Sequence, residues 1–312
     1  MSSFPLLSAN PELFRGKRVV VRLDLNVPLE GGMVRDDYRI RESLPTLRFL
    51  RECGARTVIL SHIGKGKPTD TLRPVVEHLE KEFPVVFLPD LLSPENVRMT
   101  NEMKDGDILL LENIRHSTGE EENDPAFAAY LASLGDIYVN DAFSVSHRPH
   151  ASVVGIPALL PHFAGLRFVQ EVARLAAAFT PEHPFLFILG GAKIETKMPL
   201  LKKFLDRADH VFVGGAIANN FFKVGGNEIG TSLYDADEIA GLDVYLSHEH
   251  LILPSDVVVK NAAGSHASLL PEVTEGDMIV DVGLETIHRL EEVIGSAKLI
   301  VWNGPLGFYE EG

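Results

Sequence analysis

Val139-Asn140-Asp141-Ala142-Phe143-Ser144-Val145-Ser146-His147-Arg148-Pro149-His150-Ala151-Ser152 is the stretch on which the fold of this chain turns. A short β-like run over residues 136–139 ends in Asn140 and Asp141. The loop after it presents His147, Arg148 and His150, and Pro149 and Ala151 then allow a helix to begin. Cations just beyond the C-terminal end of a strand stand where open α/β sheets bind ligands. Arg148 offers a planar fork of donors suited to carboxylate or phosphate, and His147 adds another donor. Read alone, the same stretch is equally a solvated loop with a few basic residues, so the rest of the chain has to decide.

The first half repeats the pattern. Residues 18–23 form a β-branched run of the kind found in buried parallel strands, and Asp24 and Asn26 emerge at its C-terminal end. Residues 39–53 carry apolar side chains at Ile40, Leu44, Leu47 and Leu50, a helical period, with Arg39 in the first turn. A cation at a helix N-terminus is disfavoured by the helix dipole, which turns attention from a surface role to anion binding. Residues 57–60 predict a strand that ends in Ser61-His62-Ile63-Gly64-Lys65-Gly66-Lys67. Residues 74–83 predict a helix, 85–88 a strand, 108–111 a strand that ends near Arg115, and 124–134 a helix. Strands alternating with helices make a doubly wound parallel sheet with right-handed crossovers. All strand C-termini then face one rim, which gathers Asp24, Asn26, His62, Arg115, His147 and Arg148. Such a rim suits a small, highly anionic molecule.

A break in the helical pattern over residues 158–165 is the expected interdomain connector, after which residues 166–179 resume it. Residues 185–189 predict a buried strand that runs into Gly190-Gly191-Ala192-Lys193-Ile194-Glu195-Thr196-Lys197. Paired glycines admit a ligand to the backbone, a following helix would supply free N–H groups, and Lys193 and Lys197 would share one helical face. Residues 210–213 lead to Gly214-Gly215-Ala216, a second strand–glycine–helix junction. The stretch from Gly225 to Ser232 lacks the lysine of a P-loop, and no dinucleotide fingerprint is present. Residues 234–248 and 285–294 predict helices; 251–253, 257–260, 278–282 and 299–302 predict strands. A basic rim in one half and glycine–lysine loops in the other predict substrate and nucleotide on facing lobes across an interdomain cleft. Phosphoryl transfer, which depends on positioning and charge stabilisation, suits that arrangement.

The totals agree with a globular protein of more than one core: 312 residues, 45% hydrophobic and 23% charged. A formal net charge of -15 argues against nucleic-acid and membrane-surface binding, so an anionic ligand needs a local basic patch. The single cysteine, Cys53, excludes an internal disulfide and points to a reducing cytoplasm. The amino terminus lacks a signal-peptide pattern, and the longest apolar run, interrupted by Pro157 and Pro161, is too short for a membrane span. A cytoplasmic location is expected.

In order along the chain stand Val21-Arg22-Leu23-Asp24-Leu25-Asn26-Val27-Pro28, Ser61-His62-Ile63-Gly64, Glu112-Asn113-Ile114-Arg115, the opening stretch, Gly190-Gly191-Ala192-Lys193 and Trp302-Asn303-Gly304-Pro305-Leu306-Gly307. Together they resemble phosphoglycerate kinase along essentially the whole length. The resemblance implies reversible transfer of a phosphoryl group between 1,3-bisphosphoglycerate and ADP, giving 3-phosphoglycerate and ATP, with Mg2+. It implies two Rossmann-like α/β domains: residues 1–160 for the glycerate substrate and residues 161–312 for the nucleotide. By position, Asp24 and Asn26 would contact the glycerate, and His62, Arg115 and Arg148 would clamp its non-reacting phosphate, with Lys65 and His147 beside them. Arg39 resembles the arginine that stabilises the phosphoryl group in flight, accompanied by Lys197 and assisted by Lys193. Gly191, Gly214 and Gly215 would admit the nucleotide, with Asn303, Pro305 and Glu310 near its base and ribose.

Three departures bear on activity. Lys65 stands where the family usually has arginine, exchanging a fork for a point charge. Ala216 replaces a usual third glycine. The family also continues past this chain's last residue with a further strand and two glycine-rich loops, so the second domain is expected to be incomplete and the magnesium-binding aspartate missing. Impaired or absent turnover by this chain alone is expected, as is association through the exposed edge of the second sheet. The alternative reading is a non-catalytic binder of anionic metabolites on the same scaffold, and a simple interaction protein is a third.

Overall fold

A computed structural model describes residues 5–236 and 241–308. The chain divides into two compact units, Met1–Arg174 and Leu175–Gly312.

The first unit has strands β1 (Arg18–Arg22), β2 (Leu29–Glu30), β3 (Met33–Val34), β4 (Arg56–Leu60), β5 (Val85–Leu88), β6 (Ile108–Leu111), β7 (Ile137–Asn140) and β8 (His162–Ala164). Its helices are α1 (Tyr38–Glu52), α2 (Arg73–Leu79), α3 (Pro94–Glu102), α4 (Thr118–Glu121) and α5 (Pro125–Ser133), and the boundary between the units falls within α6 (Leu166–Ala177). Six strands form one sheet in the order β5-β6-β4-β1-β7-β8, and every pairing is parallel. β2 and β3 make a separate short hairpin. The chain leaves β1 towards β4 and later returns to β7 on the other side. The loops after β1 and β7 therefore open at the place where strand order reverses, the site at which such sheets hold ligands. Both faces of β1 are covered: Val19 and Val21 pack with Leu47 and Leu50 of α1, while Val20 packs with Leu131 and Tyr138. The period of two that separates these faces puts Arg22 on the side of Val20, where it is only 1% exposed.

The second unit has β9 (Phe185–Leu189), β10 (His210–Val213), β11 (Leu251–Ile252), β12 (Asp256–Asn261), β13 (Gly264–Leu269), β14 (Met278–Val282) and β15 (Leu299–Asn303). Its helices are α7 (Met198–Leu205), α8 (Gly215–Val224), α9 (Asp243–Leu246) and α10 (Leu284–Ser296). A four-stranded parallel sheet runs β11-β10-β9-β15. Phe187 stacks on Phe204 of α7 at 4.0 Å on one face, and Leu186, Ile188 and Phe212 pack with Leu290 of α10 on the other. Both units are thus doubly wound α/β layers.

Several expectations are corrected. β12 and β14 do not extend the parallel sheet; with β13, which the alternation did not reveal, they form a separate antiparallel sheet in the order β13-β12-β14. The helix expected over residues 234–248 reduces, among the described residues, to α9. Lys193 and Lys197 do not share a helical face, because α7 begins at Met198 with Lys197 as its N-cap residue. The boundary expected at residues 160 and 161 falls before β8, which hydrogen-bonds to β7 in the first sheet. α3, capped by the Ser93 hydroxyl accepting from the Glu95 N–H, was also unforeseen.

Candidate functional site

The loop after β1 brings Asp24 against the first turn of α1. Arg39 Nη1 donates to Asp24 Oδ1 at 2.9 Å and to Oδ2 at 2.8 Å, and Ser144, from the loop after β7, donates to the same Oδ2 at 2.6 Å. Asp24, Arg39, Ser144, Tyr38 and Arg167 line a cavity of about 250 Å³. Asn26 accepts at 2.9 Å from the Gly64 N–H, which anchors the loop after β4 to the loop after β1. Buried Asn113 ties in the loop after β6: its side chain accepts from the Arg115 N–H at 3.1 Å and donates to the Ile63 carbonyl at 2.8 Å. Gly66 takes φ +83, and a Cβ there would meet the Arg115 carbonyl, so the two basic loops touch only because this position is glycine.

His62 lies in the middle of this rim, 3% exposed. Its Nδ1 is 2.9 Å from Nη2 of Arg22. Burial, and then the charges of Arg22, Arg115, Arg148 and Arg39, push its pKa down from the ordinary histidine value to about 2. Three of the expected cations, Arg39, Arg115 and Arg148, thus lie near enough for their charges to act on His62. Arg115 donates from Nη1 to the Gly64 carbonyl at 2.8 Å, while its Nε and Nη2 are buried without hydrogen-bond partners. Nε lies 3.5 Å from Glu121 Oε1, a distance that gives attraction without a hydrogen bond. Burial, and then Arg148, lower the Arg115 pKa. A buried fork with two unmet donors is suited to an arriving anion. Lys65 is exposed with its backbone N–H held by Asp70, and His147 and Arg148 are exposed on the loop after β7.

In the second unit the loops after β9 and β15 and the start of α8 interlock. The Gly191 N–H donates to the Pro305 carbonyl at 2.9 Å, and the Ile217 N–H donates to the Gly191 carbonyl at 3.1 Å. Gly215 takes φ +62, and a Cβ there would stand 2.8 Å from the Pro305 oxygen and 3.1 Å from the Gly191 nitrogen. Gly214 is the extended N-cap residue of α8, packed under the Leu306 side chain. Gly191, Gly215 and Pro305 line a cavity of about 270 Å³ whose walls include Phe222, Leu233 and Ile279. Half-buried Lys197 donates from Nζ to Asn303 Oδ1, and its Cε passes 3.8 Å from where a Cβ on Gly191 would be. Lys193 is exposed, with its carbonyl bonded to the Thr196 hydroxyl. Glu310 lies outside the described residues. A glycine-floored cavity with apolar walls and one lysine beside it suits a flat base and an attached phosphate chain.

Sequence reasoning missed Arg22, Glu120, Asp141, Ser144 and Ser152. Arg22 did leave a signal, as the one charged side chain among the apolar residues that end β1.

The sequence profile of one family, described as phosphoglycerate kinase, matches residues 11–312. The chain belongs to the phosphoglycerate kinase family. Phosphoglycerate kinases of Dictyoglomus turgidum and Methylorubrum populi are each 41% identical to it. The first alignment covers 99% of this chain and 82% of the relative, the second 95% and 78%. The solved phosphoglycerate kinase of Coxiella burnetii superposes with a TM-score of 0.80 at 34% identity, covering 99% of this chain and 81% of that one. That of Pyrococcus horikoshii superposes with the same TM-score at 29% identity, covering 99% and 82%. Phosphoglycerate kinases are ATP-binding transferases of glycolysis, and the α/β architecture expected from the sequence is theirs. Among the described residues no helix is long and apolar enough to cross a membrane.

Proposed function

We propose that this chain carries the reversible phosphoryl transfer between 1,3-bisphosphoglycerate and ADP, with 3-phosphoglycerate and ATP as the other pair. In the direction of ATP use, a carboxylate oxygen of 3-phosphoglycerate forms a bond to the γ-phosphorus as the bond to the bridging oxygen of ADP breaks, leaving the electron pair on ADP. Asp24 and Asn26 orient the glycerate, and His62, Arg115 and Arg148, with Lys65 and His147 at the rim, hold its distal phosphate. Arg39 leaves Asp24 to meet the charge on the phosphoryl group in flight. Lys197 leaves Asn303 for the same charge, and Lys193 assists. Gly191, Gly214, Gly215, Asn303 and Pro305 receive the nucleotide, and Glu310 is assigned to its ribose. A Cβ at Gly215 would meet the Pro305 and Gly191 backbones, so glycine there lets the loops that line the nucleotide cavity close on one another. Among the described residues no group of three His, Cys, Asp or Glu side chains could hold a metal ion. Mg2+ would arrive chiefly on the nucleotide phosphates.

The observation that carries this reading is the buried Arg115 fork with two unmet donors beside His62. A coupled assay with ATP and 3-phosphoglycerate, run beside calorimetry for each ligand, tests it. Binding of both ligands with turnover supports the kinase reading. Glycerate binding with no turnover would favour a non-catalytic binder of anionic metabolites. Where turnover is measurable, Arg39→Ala lowers kcat about 10²-fold or more, the usual effect of losing one charge-stabilising donor. An unchanged rate would remove Arg39 from that role.

A further inference from the structure

We propose that Arg22 is a positioning residue that fixes His62 as the neutral tautomer with its proton on Nε2, so that the ring offers the anion an N–H donor and no charge. A guanidinium has only donors, so the 2.9 Å approach of Arg22 Nη2 to His62 Nδ1 requires Nδ1 to accept. A ring that accepts at Nδ1 and remains neutral carries its proton on Nε2.

Arg22 is held so that it cannot turn away. Its Nε donates to Ser152 Oγ at 3.0 Å and its Nη1 to the Leu23 carbonyl at 2.7 Å, with Ser61 Oγ at 3.4 Å. Ser152 is held in turn by fully buried Glu120: its Oγ donates to Oε1 at 2.6 Å and its N–H to Oε2 at 2.9 Å. A buried carboxylate on α4 thereby supplies the countercharge for a buried guanidinium on β1, and that guanidinium sets the ring. The other charged groups that bear on His62 are Arg115, Arg148 and Arg39, all cations, and Asp24 is occupied by Arg39 and Ser144. Every one of those cations opposes protonation of the ring, in line with its strongly lowered pKa. Positive charge for an anion comes from the arginines, and His62 adds direction alone.

This inference rests on the proposed glycerate site only for the identity of the anion. The tautomer is read without ligand, from long-range 1H–15N correlations of uniformly labelled full-length protein. The expected result is a single Nε2–H tautomer of His62, unchanged from about pH 5 to about pH 8, the span in which an ordinary histidine titrates. A scalar coupling between Arg22 Nη2 and His62 Nδ1 is expected in the same sample. A proton on Nδ1, titration within that span, or absence of the coupling overturns the proposal. Arg22→Met, which keeps the bulk and removes the donors, is expected to give a mixture of tautomers; a folded Arg22→Met protein with the pure Nε2–H form also overturns it. The unmodified protein decides the matter if that variant does not fold. Addition of inorganic phosphate is expected to move the Nε2 proton resonance. A tautomer as stated with no response to phosphate would leave the Arg22 inference standing and count against the anion site.

Discussion

Arg115 holds a buried guanidinium with two unmet donors, an arrangement costly to the ligand-free protein and useful to a ligand. Arg115→Met, which removes the two unmet donors, is expected to leave the chain at least as stable as the parent in chemical denaturation. The same change should abolish detectable calorimetric binding of 3-phosphoglycerate. A variant less stable than the parent would show that the Nη1 bond to the Gly64 carbonyl outweighs the unmet donors. Asp141 supplies a pH dependence. Its Oδ1 accepts from the Phe168 N–H at 3.0 Å at the start of α6, and burial pushes its pKa up to about 6 against the hydrogen bonds from Thr46, Phe168 and Arg167. The folded chain therefore holds this proton at pH values where the unfolded chain, with a pKa near 3.9, has lost it. The stability contribution is fully present below about pH 3.9 and is lost as pH rises through about 6, by roughly 3 kcal/mol at most. Asp141→Asn should flatten that part of the curve, read as urea midpoints across the same window; an unchanged slope would assign it to another group. His62 works in the opposite sense. Its lowered pKa means the unfolded chain takes the proton first, so stability falls as pH drops below about 6.5.

At the scale of elements, the strand–glycine–helix junctions are the sensitive parts. Gly215 opens α8 at φ +62 with the Pro305 and Gly191 backbones close by. Gly215→Ala is expected to destabilise the chain by about 1–3 kcal/mol through backbone strain and to weaken ADP binding about tenfold or more. Chemical denaturation and calorimetry check the two effects separately, and ADP affinity equal to the parent's would detach this junction from the nucleotide site. Strands and their following loops were largely legible at this scale. β5, β6, β9 and β10 occupy the residues expected of them, because short β-branched and apolar runs closed by glycine or polar residues are a local signal. The failures were also local in origin. Residues 193–197 have a helical spacing of lysines, but Pro199 and the N-cap geometry of Lys197 start α7 only at Met198. β13, Gly264–Leu269, is mostly exposed, so the burial signal that marks a strand was absent there.

For the whole molecule, a net charge of -15 coexists with a cluster of arginines around one histidine. In the proposed function a small anion is repelled by most of the surface and taken up at this local basic rim.

The amino-acid order alone indicated most strands of the parallel sheets and which polar side chains follow them, since alternation and turn residues are properties of neighbours in the chain. It also determined the family resemblance, because six short motifs fall in one order. Tertiary structure decided what those side chains meet. That β1 lies between β4 and β7, that Arg22 is buried against His62 and backed by Ser152 and Glu120, and that β12 and β14 leave the parallel sheet all depend on pairings between segments distant in sequence. Hydrophobic periodicity states that a face is covered and carries no information on what covers it.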